Sequence, residues 1–150
     1  MSTIHATTGP QGGLFFDEPE VARYIALPGT ADGFQLPDAS GINDRHFQEI
    51  HAPGLLSGSV PVIFFRTRHT GKPHISVRLN STPLTQYTFV GDDPPERSWH
   101  EIIPAGALKP RDNELTFNIS GSGTVIFGDV VILYTSNELT VKKPVVVTHV

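Results

Sequence analysis

The feature that most constrains this chain is a regular alternation of apolar and polar residues between Ile75 and Tyr134. Residues 74–79 read HISVRL and residues 114–119 read ELTFNI, so every second position is apolar. A period of two places the apolar side chains of a β-strand on one face and the polar side chains on the other. The alternation therefore predicts strands with one face buried and one face in water.

Short strand-like segments separated by turn signals continue through the rest of the chain. Strands are predicted at Leu14–Phe16, Val21–Leu27, Arg45–His51, Val60–Arg68, Pro73–Leu79, Leu84–Val90, Trp99–Ile103, Glu114–Ser120 and Thr124–Tyr134. A short helix is the alternative for Val21–Leu27, which lies between Pro19 and Pro28. Gly128 marks a candidate β-bulge in the last of these strands. Pro104–Leu108 is expected to form one helical turn.

Composition and strand spacing together predict one all-β domain over residues 1–150. Thirteen Pro and fourteen Gly are too many for a helical bundle and fit a loop-rich β protein. No predicted helix is long enough to connect parallel strands, so we expect an antiparallel β-sandwich of about nine or ten strands. The predicted core contains Leu79, Phe89, Leu115, Phe117, Phe127, Val131 and Leu133.

The two ends of the chain are expected to differ from this domain. Residues 1–13 are polar and rich in glycine, which predicts a loose N-terminal arm. Residues 138–150 contain the β-branched run Val145–Val147 and are predicted to be a C-terminal extension or an extra edge strand.

Charge and composition argue against several classes of function. The formal net charge is −4, and no Lys/Arg cluster forms the basic stripe that a nucleic-acid-binding protein needs. Without cysteine, the chain has no disulfide, thiolate metal site or cysteine nucleophile. No apolar run approaches the roughly 20 residues of a membrane span. The first residues lack the basic and apolar regions of a signal peptide, and no compartment is indicated.

No known catalytic motif is present in the sequence. HExxH, GxSxG, P-loop and His-x-His patterns are all missing, and the seven histidines are expected in surface or structural roles. Asp92 and Glu96 could supply the carboxylates roughly 5–9 Å apart that glycoside hydrolysis uses, but so could many loop pairs. No residue is therefore assigned a catalytic role.

From Ile75 onward, the order of signals resembles the galactose-binding-like jelly roll found in carbohydrate-binding modules and glycosidase sugar-binding domains. The matching positions are Val77–Asn80, Phe89, Trp99, Ile103–Pro104, Leu108, Asn113–Phe117 and Gly128–Tyr134. Residues 1–70 match nothing clearly. The resemblance implies a jelly-roll sandwich that binds or assembles rather than catalyses, although fold analogy alone does not determine function.

A carbohydrate site needs an aromatic platform for the sugar ring and planar polar side chains for its hydroxyls. The candidates around the loop 91–98 are Tyr87, Asp92, Asp93, Arg97 and Trp99. Asp44 and Arg45, beside Asn43 and His46, offer a second polar set. The alternatives are that Trp99 belongs to the core and that the two aspartates lie in a solvated, proline-rich turn.

The resemblance also implies a structural calcium ion between the N-terminal segment and the last strand. Asp17, Glu20 and Asp129, with Glu18, could supply the oxygen ligands that calcium prefers. The alternative is that Asp129 pins a bulge after Gly128. No other cofactor is expected.

We therefore expect a non-catalytic carbohydrate-binding module. The alternative is a structural or assembly module that forms a homo-oligomer or a larger particle, and a glycoside-active enzyme ranks third. Exposed aromatic residues in one concave patch would favour carbohydrate as the partner. A large, flat, apolar surface would favour assembly.

Overall fold

The computed structural model describes residues 20–138 in full and the backbone of two earlier segments, 6–8 and 14–16. The strands are β1 (Ala6–Thr8), β2 (Leu14–Phe16), β3 (Val21–Ala26), β4 (Phe34–Leu36), β5 (Asp44–Ile50), β6 (Val62–Gly71), β7 (His74–Leu79), β8 (Thr82–Thr88), β9 (Glu96–Ile102), β10 (Asn113–Ser120) and β11 (Gly123–Ser136). No helix occurs among these residues.

Nine of the strands form two antiparallel sheets. The four-stranded sheet has the order β5-β10-β7-β8, and the five-stranded sheet has the order β3-β11-β6-β9, with β4 also paired to β11. The remaining pair, β1 with β2, forms a separate two-stranded ribbon. All the pairings are antiparallel. The predicted all-β antiparallel sandwich is confirmed.

The predicted strands all occur, with small differences in their ends. Val21–Leu27 is a strand and not the alternative helix. Two strands were not expected, β4 and β1, and β1 lies within the segment predicted to be a loose arm. Pro104–Leu108 is a turn in which the Ala107 N–H donates to the Pro104 carbonyl, so the expected helical turn is wrong. Residues 139–150, including Val145–Val147, lie outside the described part of the chain.

The core lies between the two sheets and is rich in phenylalanine. Phe65, Phe89, Phe117 and Phe127 are among its largest fully buried side chains. Phe117 lies at the centre, with ring centroids 4.9 Å from Phe127 and 5.9 Å from Phe65. Offset and edge-to-face aromatic pairs add stability beyond the burial of their area. Phe117 on β10 therefore joins the two sheets.

A β-bulge at Gly128 reverses the alternation along β11. The register between β11 and β6 shifts between Gly128 and Val131. Buried positions before and after the bulge are Val125, Phe127, Val130, Ile132 and Tyr134. Because one extra residue moves every later side chain to the opposite face, Val131 and Leu133 lie on the outer face. Their prediction as core residues is wrong.

Thr30 holds this bulge in place. The Asp129 N–H donates to the Thr30 carbonyl over 2.8 Å, and Asp129 has a positive φ of 48°. The Thr30 hydroxyl donates to the Leu27 carbonyl and accepts from the Val130 N–H. The backbone groups that the bulge removes from the ladder are therefore paired, as buried polar groups need to be.

Candidate functional site

The outer face of the five-stranded sheet carries an apolar surface. We call this surface the apolar half and define it by Tyr24, Ala26, Val62, Phe64, Ile102, Val131 and Leu133. The strand register places four of these residues side by side in one row across the sheet, in the order Tyr24, Leu133, Val62 and Ile102. Ala26, Val131 and Phe64 form the next row, which His100 completes. The surface is continuous over four strands.

Several large apolar side chains of the apolar half are exposed to solvent. The exposed fraction is 68% for Tyr24, 66% for Ile102 and 39% for Phe64. Single exposed apolar residues are common on protein surfaces, but contiguous patches of several hundred Å² often mark interaction sites. The bulge contributes directly, since it brings Val131 and Leu133 to the middle of this surface. The apolar half is therefore a candidate docking surface.

The same sheet face continues into a polar region, which we call the charged half: Arg66, Arg68, Glu96, Ser98 and Ile126. A cleft of about 400 Å³ lies over it, with the loop residues 31–33 as one wall. Arg66 forms an ion pair with Asp129, and Arg68 Nη2 lies 2.6 Å from Glu96 Oε1. Exposed ion pairs of this kind add little stability. As a result of these ion pairs, the charges of Arg66 and Arg68 are both balanced by carboxylates.

Trp99 belongs to the core and cannot offer a face to a sugar ring. It is 6% exposed, and its indole Nε1–H donates to Thr67 Oγ1 over 2.9 Å. Its ring stacks on Phe65 with centroids 5.8 Å apart. The alternative interpretation of Trp99 as a core residue is the correct one, because its own ring is buried against Phe65.

The other residues predicted around the loop 91–98 close one edge of the sandwich. The Arg97 guanidinium lies 3.8 Å from the Trp99 ring centroid and 4.9 Å from that of Tyr87, as in cation–π contacts. The Tyr87 hydroxyl donates to Asp93 at 2.9 Å, and the Val90 N–H donates to the same carboxylate at 2.7 Å.

These hydrogen bonds stabilise the carboxylate form of Asp93. The Val90 N–H, and after it the Tyr87 hydroxyl, hold the pKa of Asp93 below its ordinary value. Asp92, next to it, is exposed. The structure thus brings Tyr87, Asp93, Arg97 and Trp99 together, but in mutual contacts that occupy the faces a sugar would need.

The second polar set divides between the two faces of β5. The Arg45 guanidinium lies 5.0 Å from the Phe47 ring centroid and 5.5 Å from that of Phe34. Asp44 instead contacts His46, with Oδ2 3.1 Å from the ring Nε2. Asp44 and Arg45 therefore do not converge on one ligand.

Glu114 completes a cluster that the sequence did not reveal. Its Oε1 lies 2.9 Å from His46 Nδ1, while Asp44 faces the other ring nitrogen. The hydrogen bond with Glu114, followed by the one with Asp44, raises the pKa of His46, and the same contact lowers the pKa of Glu114. The pairing of β5 with β10 brings these residues together, so strand pairing was the missing information.

The predicted calcium ligands are far apart. Glu20 lies beside the end of β11, where Val21 pairs with Ser136. Asp129 precedes Ser136 by seven residues of extended chain, or about 23 Å. Calcium contacts its oxygen ligands at roughly 2.3–2.6 Å, so Glu20 and Asp129 do not share an ion.

Asp129 lies in the bulge and pairs with Arg66, in agreement with its alternative role. Asp17 lies outside the described residues. Within residues 20–138, no three side chains of His, Asp or Glu are grouped so that they could hold a metal ion.

Comparison with known proteins extends the description of the fold. No protein-family model matches the chain, and no curated protein matches it. Among solved structures, the chain is similar to dimeric latent PorU from Porphyromonas gingivalis, with a TM-score of 0.55 and 12% identity. The match covers 78% of this chain and 13% of the PorU chain. At this identity the similarity supports the fold alone.

Within the part of the chain that the structure describes, no helix has the length and apolar character for crossing a membrane.

Proposed function

We propose that this protein is a non-catalytic interaction module and that its docking surface is the apolar half of the five-stranded sheet. The observation that carries the proposal is the continuous exposure of Tyr24, Phe64 and Ile102 around the half-buried Val131 and Leu133. Removing apolar surface from water stabilises a complex by roughly 25 cal/mol per Å² before the costs of association. A sheet face whose side chains are apolar suits a partner surface of similar character.

A polarity-sensitive dye tests whether this surface is available in the folded protein. We expect anilinonaphthalene sulfonate to fluoresce with the wild-type chain and to lose most of that signal with Ile102→Lys, since lysine places a charge in the exposed row. Ile42→Lys is the matched control, because Ile42 is also 50% exposed but lies in the loop before β5. Equal dye binding by the two variants would contradict the proposal.

Carbohydrate binding is the second candidate function, and one observation favours it. Tyr24 and Phe64 are exposed aromatic side chains on the same sheet face, two strands apart. Aromatic faces of this kind can stack on sugar rings, and the neighbouring cleft supplies arginine and serine side chains as hydrogen-bond donors. In this proposal the platform is Tyr24 and Phe64, and the fold is the galactose-binding-like jelly roll that the sequence resembles.

Affinity electrophoresis separates the two candidates. The wild-type chain and the variants Tyr24→Ala and Phe64→Ala would be run in gels that contain xylan, β-glucan or galactomannan. Retardation of the wild type that both variants abolish would establish the carbohydrate function. Equal mobility of all three proteins in every gel would contradict it and leave the apolar half to a protein partner.

A further inference from the structure

We infer that the partner of the apolar half is a second copy of the same chain, packed face to face in a symmetric dimer. This inference rests on the proposed docking function and adds the identity and orientation of the partner. A symmetric dimer buries the same patch on both subunits, so the patch must be complementary to itself. A largely aliphatic surface made of two adjacent rows meets that requirement in its chemistry.

The charges around the apolar half favour a copy of the chain over a charged partner. Arg66 and Arg68 are already paired with Asp129 and Glu96. A strongly charged partner would therefore find its counter-charges engaged, and docking it would cost the separation of these pairs. A second apolar half requires no such change.

The edges of the sheets are poorer sites for self-association. β9 carries Glu96, Arg97 and Glu101, and β8 contains Pro83, which are residues that protect strand edges. β3 has fewer charges, but pairing along it would leave the apolar half exposed. Packing by the sheet face is the arrangement that buries the exposed rows.

Symmetry and charge together select one orientation. Packed sheets lie about 10 Å apart with their strands within roughly 30° of each other. A twofold axis in the interface and along the strands would stack Arg66 and Arg68 of one copy on the same arginines of the other. An axis across the strands overlays the two apolar halves and places the charged halves at opposite ends. We therefore expect the axis to run across the strands.

The size of the surface predicts a weak and reversible dimer. Four strands at about 4.8 Å spacing and two rows at about 6.7 Å give roughly 260 Å² per copy. The two copies together bury on the order of 500 Å², well below the roughly 1,200 Å² typical of stable complexes. Dissociation should therefore be measurable by dilution.

Sedimentation equilibrium over a dilution series of the full chain tests the dimer. We expect the average mass of the wild type to rise from monomer toward dimer with concentration. Ile102→Lys should raise the dissociation constant at least tenfold, while Ile42→Lys should leave it unchanged. A wild type that stays monomeric at every concentration, or an equal effect of the two substitutions, would overturn the inference.

The dye experiment distinguishes the absence of a dimer from the absence of a docking surface. A monomeric wild type that loses its dye signal with Ile102→Lys would retain the docking surface and lose only the second copy as its partner. If a chain ending at Glu138 dimerised more tightly than the full chain, residues 139–150 would be assigned to the surface instead, and the inference would be overturned.

A spin label tests the orientation. The chain has no cysteine, so Thr70→Cys introduces a single labelling site at the charged end of β6. Thr70 lies about seven residues from the centre of the apolar half, so an axis across the strands separates the two labels by about 45 Å. An axis along the strands would bring them within roughly 15 Å. The short distance would overturn the proposed orientation.

Discussion

The outer faces of the two sheets differ sharply in chemistry although both belong to the same sandwich. Across the four-stranded sheet, polar side chains face one another in the register, including Thr116 beside His46 and Asn118 beside Ser76. The corresponding rows of the five-stranded sheet pair Leu133 with Tyr24 and with Val62. A solvated sheet face is normally polar, so the apolar half is the surface for which we propose a partner.

The largest expected effect is on the free energy of unfolding, and it comes from replacing phenylalanine in two different environments. Phe117 is fully buried between the sheets, whereas Phe64 is 39% exposed on the apolar half. Phe117→Ala should lower the free energy of unfolding by about 3–5 kcal/mol, because it leaves a cavity among the core rings. Phe64→Ala should cost about 1 kcal/mol or less.

Urea denaturation followed by the fluorescence of Trp99, the single tryptophan, measures both variants. The experiment should be run at a dilution at which the chain is monomeric. Equal losses of stability would mean that Phe64 is part of the core and that the two faces do not differ as described.

The next largest effect concerns the bulge that creates the apolar half. Thr30→Val keeps the shape of the side chain but removes the hydroxyl that accepts from the buried Val130 N–H. Leaving a buried donor without a partner costs roughly 1–3 kcal/mol. Thr124→Val is the control, since the Thr124 hydroxyl is hydrogen-bonded to Thr70 at an exposed site. Thermal denaturation should show a clear loss for Thr30→Val and little change for Thr124→Val.

The smallest expected effect is a shift in the pKa of His46 on the polar face of the four-stranded sheet. The pKa of His46 should lie above its ordinary value, because the imidazolium donates to Glu114 and to Asp44. Its contribution to stability is then complete below the unfolded-state pKa and is lost as the pH rises through the folded-state pKa. The lowered pKa of Glu114 contributes in the opposite sense, so its share is lost as the pH falls through that lowered value.

NMR titration of the His46 ring checks this directly. Glu114→Gln should lower the pKa of His46, whereas Glu96→Gln, on the opposite sheet, should leave it unchanged. An unchanged value in Glu114→Gln would show that the cluster does not form in solution.

The strands were predictable because their signal is local. Alternation of the kind seen in β7 and β10 depends only on one strand having a buried face, and both strands occur where the sequence placed them. β4 was missed because its three residues lie between the turn signals at Gly33 and Pro37 and are too few to show an alternation there. The prediction that Val131 and Leu133 are buried was wrong because of the bulge in β11. The bulge exchanges the inner and outer faces of the strand, and the sequence does not show how many residues it contains.

The candidate surface was less predictable because it depends on strand order. Tyr24 and Ile102 are far apart in sequence and lie at the two ends of one row only because β11 and β6 pair between their strands. The contact of His46 with Glu114 likewise requires the pairing of β5 with β10. The sequence placed Trp99 on a strand with Ile103 on the same face, and the burial of both fits that pattern.

Methyl NMR over a dilution series tests the difference between the two faces most directly. If the apolar half is covered by a second copy, the methyl resonances of Ile102, Val131 and Leu133 should move together as the protein is diluted. The methyl resonances of Ile42 should stay in place, because that residue lies away from the proposed contact. Resonances of the apolar half that do not change with concentration, or that change no more than those of Ile42, would contradict a dimer formed through this surface.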